Sequence, residues 1–201
     1  PGLKEAEIEA AIYTQMERDL PGMREDLCLD FSEMPSNVMV TAARQEYLSQ
    51  YVECVESAGL KVKIADIDVY ALQRAIYFIL GNPPLKSAVH AILQVINKMA
   101  VLIVSHADEI IFHQHWQVTA ATDVFVQLAQ WQNSNQAIQQ LSIVGHGDYF
   151  AQLTAQSGKE WALPICYPDP FVRMKFAATV DSAPFIPHAA DFLVAFGLAM
   201  R

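Results

Sequence analysis

Two glycines sit between an apolar run and a helical one in Ile143-Val144-Gly145-His146-Gly147-Asp148. Glycine removes the side chain from a turn and a helix N-terminus presents free N–H groups, so this stretch suits close backbone approach to a ligand. A plain turn is the other reading, because the six-residue dinucleotide fingerprint and a GKS/T phosphate loop are both missing. Asp66 and Asp68 flank Ile67, where two carboxylates facing one cleft would hold hydrated Mg²⁺. Otherwise Asp68 caps the following helix by accepting a backbone N–H. His113 and His115 lie two apart in a strand and share a face, with His106 earlier; they lack an identifiable third ligand, and no metal site is assigned. His146 beside Asp148 suggests an acid–base pair, yet no GxSxG and no nucleophile accompany it. Cys28, Cys54 and Cys166 are odd in number and without CxxC spacing, which reads as buried, reduced thiols of a cytoplasmic chain.

The chain around these residues has 201 positions, 53% of them hydrophobic and 17% charged. Its charge content lies below the roughly 25% of an average soluble domain, so it can bury a core and is not disordered. With 13 basic against 22 acidic residues the net charge is −9, a sign that repels phosphate backbones and excludes direct nucleic-acid binding as the leading function. No stretch reaches the roughly 18 apolar residues of a membrane span; the longest clean run, residues 99–104, fits a buried strand. The sequence opens at Pro1 without methionine or a basic and apolar leader, which reads as a processed or truncated piece.

Periodicity then gives the elements. Ile8, Ile12, Met16 and Leu20 recur every four residues, a helix over 3–20 with Glu5, Glu7 and Glu9 near its start and Pro21-Gly22 at its end. Strands follow over 27–31 and 38–41, joined through Pro35-Ser36-Asn37 and paired antiparallel. The next helix, 44–58, carries Tyr47, Leu48, Tyr51, Val52 and Val55 on one face and stops at Gly59. Leu60, Val62 and Ile64 alternate with Lys61, Lys63 and Ala65, predicting a half-buried strand that leads to a helix over 70–80. Gly81-Asn82-Pro83-Pro84 is the candidate inter-lobe linker. Three strands, 88–96, 99–105 and 109–116, have connections so short that only a meander fits. Helix 119–131, strand 142–144, helix 148–155 and strand 163–167 precede a turn at 168–170. A nearly all-apolar helix over 188–200 closes the chain, with burial expected for Phe192, Leu193, Phe196 and Leu198.

Several phrases resemble the PilM family of type IV pilus assembly and its competence relatives. They are Leu27-x-x-Asp30-Phe31, Val40-Thr41-Ala42-Ala43-Arg44, Ala58-Gly59-Leu60, Ile64-Ala65-Asp66-Ile67-Asp68-x-x-Ala71-Leu72-x-Arg74, Gly145-x-Gly147, Asp169-Pro170-Phe171 and Ala195-Phe196-Gly197-Leu198-Ala199-Met200-Arg201. Their order and spacing carry the likeness over nearly the whole chain. It implies an α/β fold with actin-like (ribonuclease H-like) lobes and an FtsA-type small α+β subdomain. Residues 1–62 would form that subdomain, 63–84 the remainder of the first lobe and the linker, 85–187 the second lobe, and 188–201 a helix returning to the first. A first-lobe meander with its phosphate loop would precede Pro1 in the family.

In that frame Gly145 and Gly147 match the adenosine loop, and Gln94-Val95-Ile96-Asn97 aligns with the family's Asp-Ile-Gly-Ala phosphate loop. Gln94 lacks the charge that would hold Mg²⁺-bound water, and Ile96 adds a branched side chain where backbone must approach phosphate. Gln94, Asn97, Gly145 and Gly147 are therefore candidate nucleotide contacts of an eroded site, with Asp68 as the remaining candidate carboxylate. One carboxylate without a phosphate cradle does not equip a chain for phosphoryl transfer. The resemblance implies a cytoplasmic scaffold at the inner-membrane face of a bacterium, holding the N-terminal tail of a PilN-like membrane protein. Other platform proteins would be partners, membrane association would be peripheral through the partner, and no cofactor is expected. The alternative is an ATP·Mg²⁺-dependent switch of a type IV pilus or type II secretion platform.

Overall fold

The computed structural model describes residues 4–19, 21–22, 26–33, 38–81, 88–106, 109–134, 137–160, 163–173 and 176–201. Two compact units divide the chain between Ala65 and Asp66. The turn expected at Pro35-Ser36-Asn37 and the prolines of the expected linker lie outside the described residues.

The first unit holds α1 (Glu5–Asp19), β1 (Leu27–Glu33), β2 (Val38–Arg44) and α2 (Gln45–Ser57). β1 and β2 pair antiparallel from Leu27↔Arg44 to Glu33↔Val38, as the alternation predicts. Helix α2 ends on Gly59, whose φ of 80° is left-handed. Its apolar face is open, with Tyr47, Tyr51 and Val55 exposed. The expected strand at 60–65 does not form: the segment is irregular and Leu60 and Ile64 are exposed. Alternation sets which side chains share a face, but a strand also needs a neighbour for its N–H and C=O groups, and none pairs with it among the described residues.

The second unit is built on α3 (Asp68–Leu80) and a five-stranded mixed sheet in the order β5-β4-β3-β6-β7. β3 (Val89–Ile96), β4 (Met99–His106) and β5 (Glu109–Gln117) form the expected meander. After α4 (Ala121–Ser134), β6 (Gln140–His146) returns parallel to β3, and after α5 (Asp148–Glu160) the short β7 (Ile165–Cys166) pairs parallel to β6. Parallel return needs a crossover of a dozen or more residues, which α4 and α5 supply. One sheet face packs Leu93, Val95, Leu102 and Ile143 with Leu128, Trp131 and Leu153. The other packs Ile92, Ile103 and Val144 with Leu72 and Ile76 of α3 and with Leu193. Both faces are covered, so β3 is buried from Val89 to Val95 without alternation, and its two polar residues, His90 and Gln94, are buried with the rest.

The closing helix is shorter than expected: a 3-10 segment, Ile186–Phe192, precedes α6 (Leu193–Ala199). Leu193 and Gly197 are buried against α3, while Phe192 and Leu198 are exposed, because so short a helix has only one packed face. No helix among the described residues is long and apolar enough to cross a membrane.

Candidate functional site

The ends of β3 and β6 lie side by side because the parallel register pairs Val95 with Gly145 and Ile96 with His146. A turn through Asn97, at φ 54°, joins β3 to β4, and its N–H donates to the His146 carbonyl at 3.3 Å. A Cβ on Gly145 would overlap the Val95 carbonyl oxygen, and one on Gly147 would stand 3.5 Å from Asn97 Oδ1. Only glycine lets these two strands run this close through a left-handed turn. Gly145, Gly147 and Asn97 are therefore one surface, assembled from positions that the sequence singles out separately.

Gln94 belongs to the same place but faces inward. It is buried, and its Nε2 donates to the Ala190 carbonyl at 3.2 Å, tying the 3-10 segment to β3. That segment also brings Asp191 to His146, with Nε2···Oδ1 at 2.8 Å, and places His188 Nδ1 3.5 Å from the other carboxylate oxygen. The His146 and His188 rings meet edge to face at 5.2 Å. His146 thus pairs with Asp191, not with the expected Asp148, because Asp148 begins α5 on the far side of the turn. His188 and Asp191 belong to no spacing the sequence marks; their i,i+3 relation is the one signal that would have found them.

Asp68 stands apart from this cluster. The helix caps on Ile67, so Asp68 is the first helical residue and not the N-cap; it is exposed and accepts the Val69 N–H at 2.8 Å. Asp66, the neighbouring carboxylate, is engaged in two ion pairs. Arg74 and Arg201 reach its two oxygens at 2.5 and 2.7 Å, and its side chain is only 6% exposed. Burial pushes its carboxyl up, and the bonds from Arg74, the Ile67 N–H and Arg201 outweigh that and hold it below 3.8. His113 and His115 stand 6.1 Å apart by ring centroid, both exposed, on β5. The cysteines are free, and Cys54 is exposed on α2 where burial was expected, because that helix face has no cover within its unit. Chemically, the β3–β6 end offers backbone N–H groups, the Asn97 amide and a His–Asp–His group. Among the described residues, its side-chain hydrogen bonds and ion pairs bring in no lysine, arginine or nucleophile.

The sequence model of the family described as type IV pilus assembly protein PilM matches residues 1–119, more than half of the chain. The chain belongs to the PilM family of type IV pilus assembly proteins. No curated protein matches it. Among solved structures, the PilM–PilN type IV pilus biogenesis complex is similar with a TM-score of 0.78 at 17% identity, over 100% of this chain and 74% of that one. A Bacteroides thetaiotaomicron protein of unknown function with an actin-like ATPase fold gives a TM-score of 0.45 at 12% identity, over 82% of this chain and 61% of that one. The α/β fold expected from the resemblance is thus shared along the whole chain with PilM of that complex.

Proposed function

We propose that this PilM-family chain is a scaffold at the cytoplasmic face of the inner membrane, in a pilus or competence machine, that captures the N-terminal tail of a PilN-like membrane protein without hydrolysing ATP. The observation that carries this reading is the match of the full chain to PilM of the PilM–PilN complex. The first unit supplies a fitting surface. A groove of about 440 Å³ runs between Ile8, Ile12 and Met16 of α1 and Val38 and Val40 of β2. β1 and β2 form a two-stranded sheet, which leaves each with an edge that has no strand neighbour among the described residues. An extended tail would add main-chain hydrogen bonds at such an edge and seat alternate apolar side chains in the groove. Other platform proteins would be reached through the same partner, which would also hold the chain at the membrane.

A labelled synthetic peptide of the N-terminal tail of the PilN-like protein from the same genome, titrated into the chain and followed by fluorescence anisotropy, tests this. Saturable binding is expected. Val40→Asp, a charge placed on the groove wall, is expected to weaken it by about tenfold or more, since burying an unpaired carboxylate costs upward of about 1.4 kcal/mol. No saturable binding by the unmodified chain would overturn the reading.

The eroded loop favours a body without turnover. Gln94 spends its amide on the Ala190 carbonyl, and Ile96, partly buried, packs its branched side chain against the core beside α3.

A further inference from the structure

We propose that His146, His188 and Asp191 form a three-ligand site for a divalent transition metal, with Zn²⁺ the best fit. Their ligand atoms all lie within 4.8 Å of one another. A tetrahedral zinc with bonds of about 2.0–2.2 Å spaces its ligands by about 3.3–3.6 Å. His146 Nε2 and His188 Nδ1 already stand 2.8 and 3.5 Å from the Asp191 oxygens. Two exposed side chains have to adjust: His188 turns to bring its nitrogen toward that of His146, and Asp191 draws back by about half an ångström from its 2.8 Å hydrogen bond to reach the ligand spacing, with the fourth position open to water or a ligand.

Each ligand is positioned by backbone and not by chance proximity. His146 is held between two positive-φ glycines, on a strand end whose carbonyl accepts the Asn97 N–H. Asp191 follows Ala190, whose carbonyl takes the buried Gln94 amide. His188 interrupts the 3-10 segment with φ −113° and ψ 18°, and its N–H donates to the Phe185 carbonyl at 3.0 Å. Two imidazoles and one carboxylate suit divalent transition metals such as Zn²⁺, Co²⁺, Ni²⁺ and Fe²⁺; Mg²⁺ and Ca²⁺ prefer oxygen sets and Cu⁺ prefers sulfur.

CoCl₂ titrated into the metal-free chain, with the visible d–d bands of Co²⁺ as readout and ZnCl₂ as competitor, decides the matter. One Co²⁺ per chain, displaced by Zn²⁺, is expected. His188→Ala and Asp191→Asn are each expected to weaken binding by about tenfold or more, the loss that removing even an outer-shell support can cause. His188 is 59% exposed, so its replacement leaves the metal-free melting curve unchanged. The double variant His113→Ala/His115→Ala, which removes the other exposed histidine pair, is expected to bind Co²⁺ as the parent does. The site is overturned if the parent chain binds no Co²⁺, if both His188→Ala and Asp191→Asn retain full affinity, or if the His113/His115 variant loses it.

Discussion

His90 is a titratable group placed wholly inside the second unit, and it ties stability to pH. It is fully buried on β3, its Nε2 is 2.8 Å from Ser142 Oγ, and the Tyr77 ring stacks on it at 5.5 Å. Its Nδ1 has no hydrogen-bond partner among the described residues. Burial pushes the ring down to about 4 from the ordinary 6.5, because the charged form would have to shed its water. In this window the unfolded chain binds the extra proton. The contribution is therefore fully present above pH 6.5 and is lost as pH falls toward 4. The depression amounts to about 3 kcal/mol at about 1.4 kcal/mol per pH unit. Urea unfolding at pH 7 and pH 4.5 is expected to differ by most of that amount in the parent chain and by much less in His90→Gln. An equal difference in both would assign the acid sensitivity elsewhere. Asp66, whose carboxyl lies below its ordinary range, acts in the same direction in a lower window: its share is present above 3.8 and is lost as pH falls through the lowered folded value.

Among the elements, α6 and α3 meet with no space for a side chain at Gly197. A Cβ there would overlap the Ala71 carbonyl oxygen, and the Gly197 carbonyl accepts both Nε and an NH₂ of Arg74 at 3.2 Å. Alanine would gain helix propensity worth about 0.5–1 kcal/mol and lose about 1–3 kcal/mol to overpacking against a carbonyl that helix α3 cannot withdraw. Gly197→Ala is expected to lower the denaturation midpoint of the chain. Gly158, inside α5, has open space around its missing Cβ, so Gly158→Ala is expected to raise that midpoint by the propensity alone. Opposite signs for the same exchange separate a contact effect from a helix effect; a stabilised Gly197→Ala would show that α6 packs less closely than its backbone indicates.

For the whole molecule, the expectation is a nucleotide-insensitive body. A ligand at 100 times its dissociation constant adds about 2.7 kcal/mol of stability. Thermal melts with and without millimolar ATP·Mg²⁺ are expected to coincide, because Asn97, Gly145 and Gly147 form a close-packed turn with no lysine or arginine in its hydrogen bonds among the described residues. A rise of several degrees would favour the switch reading over the scaffold.

Local chemistry made much of this architecture legible. Short connections at Asn97-Lys98 dictate a meander, Gly59 and Gly81 stop their helices, and apolar periodicity marks α1, α3 and the strands, since each depends on neighbours in the chain. The glycine pair at 145 and 147 was visible for the same reason. Tertiary structure alone decided who meets whom. Gln94 finds Ala190 across 96 residues and His146 finds Asp191 across 45, separations that no spacing rule spans. The strand expected at 60–65 fails on the same ground. Alternating side chains declare a face, and only a second strand can satisfy the backbone behind them.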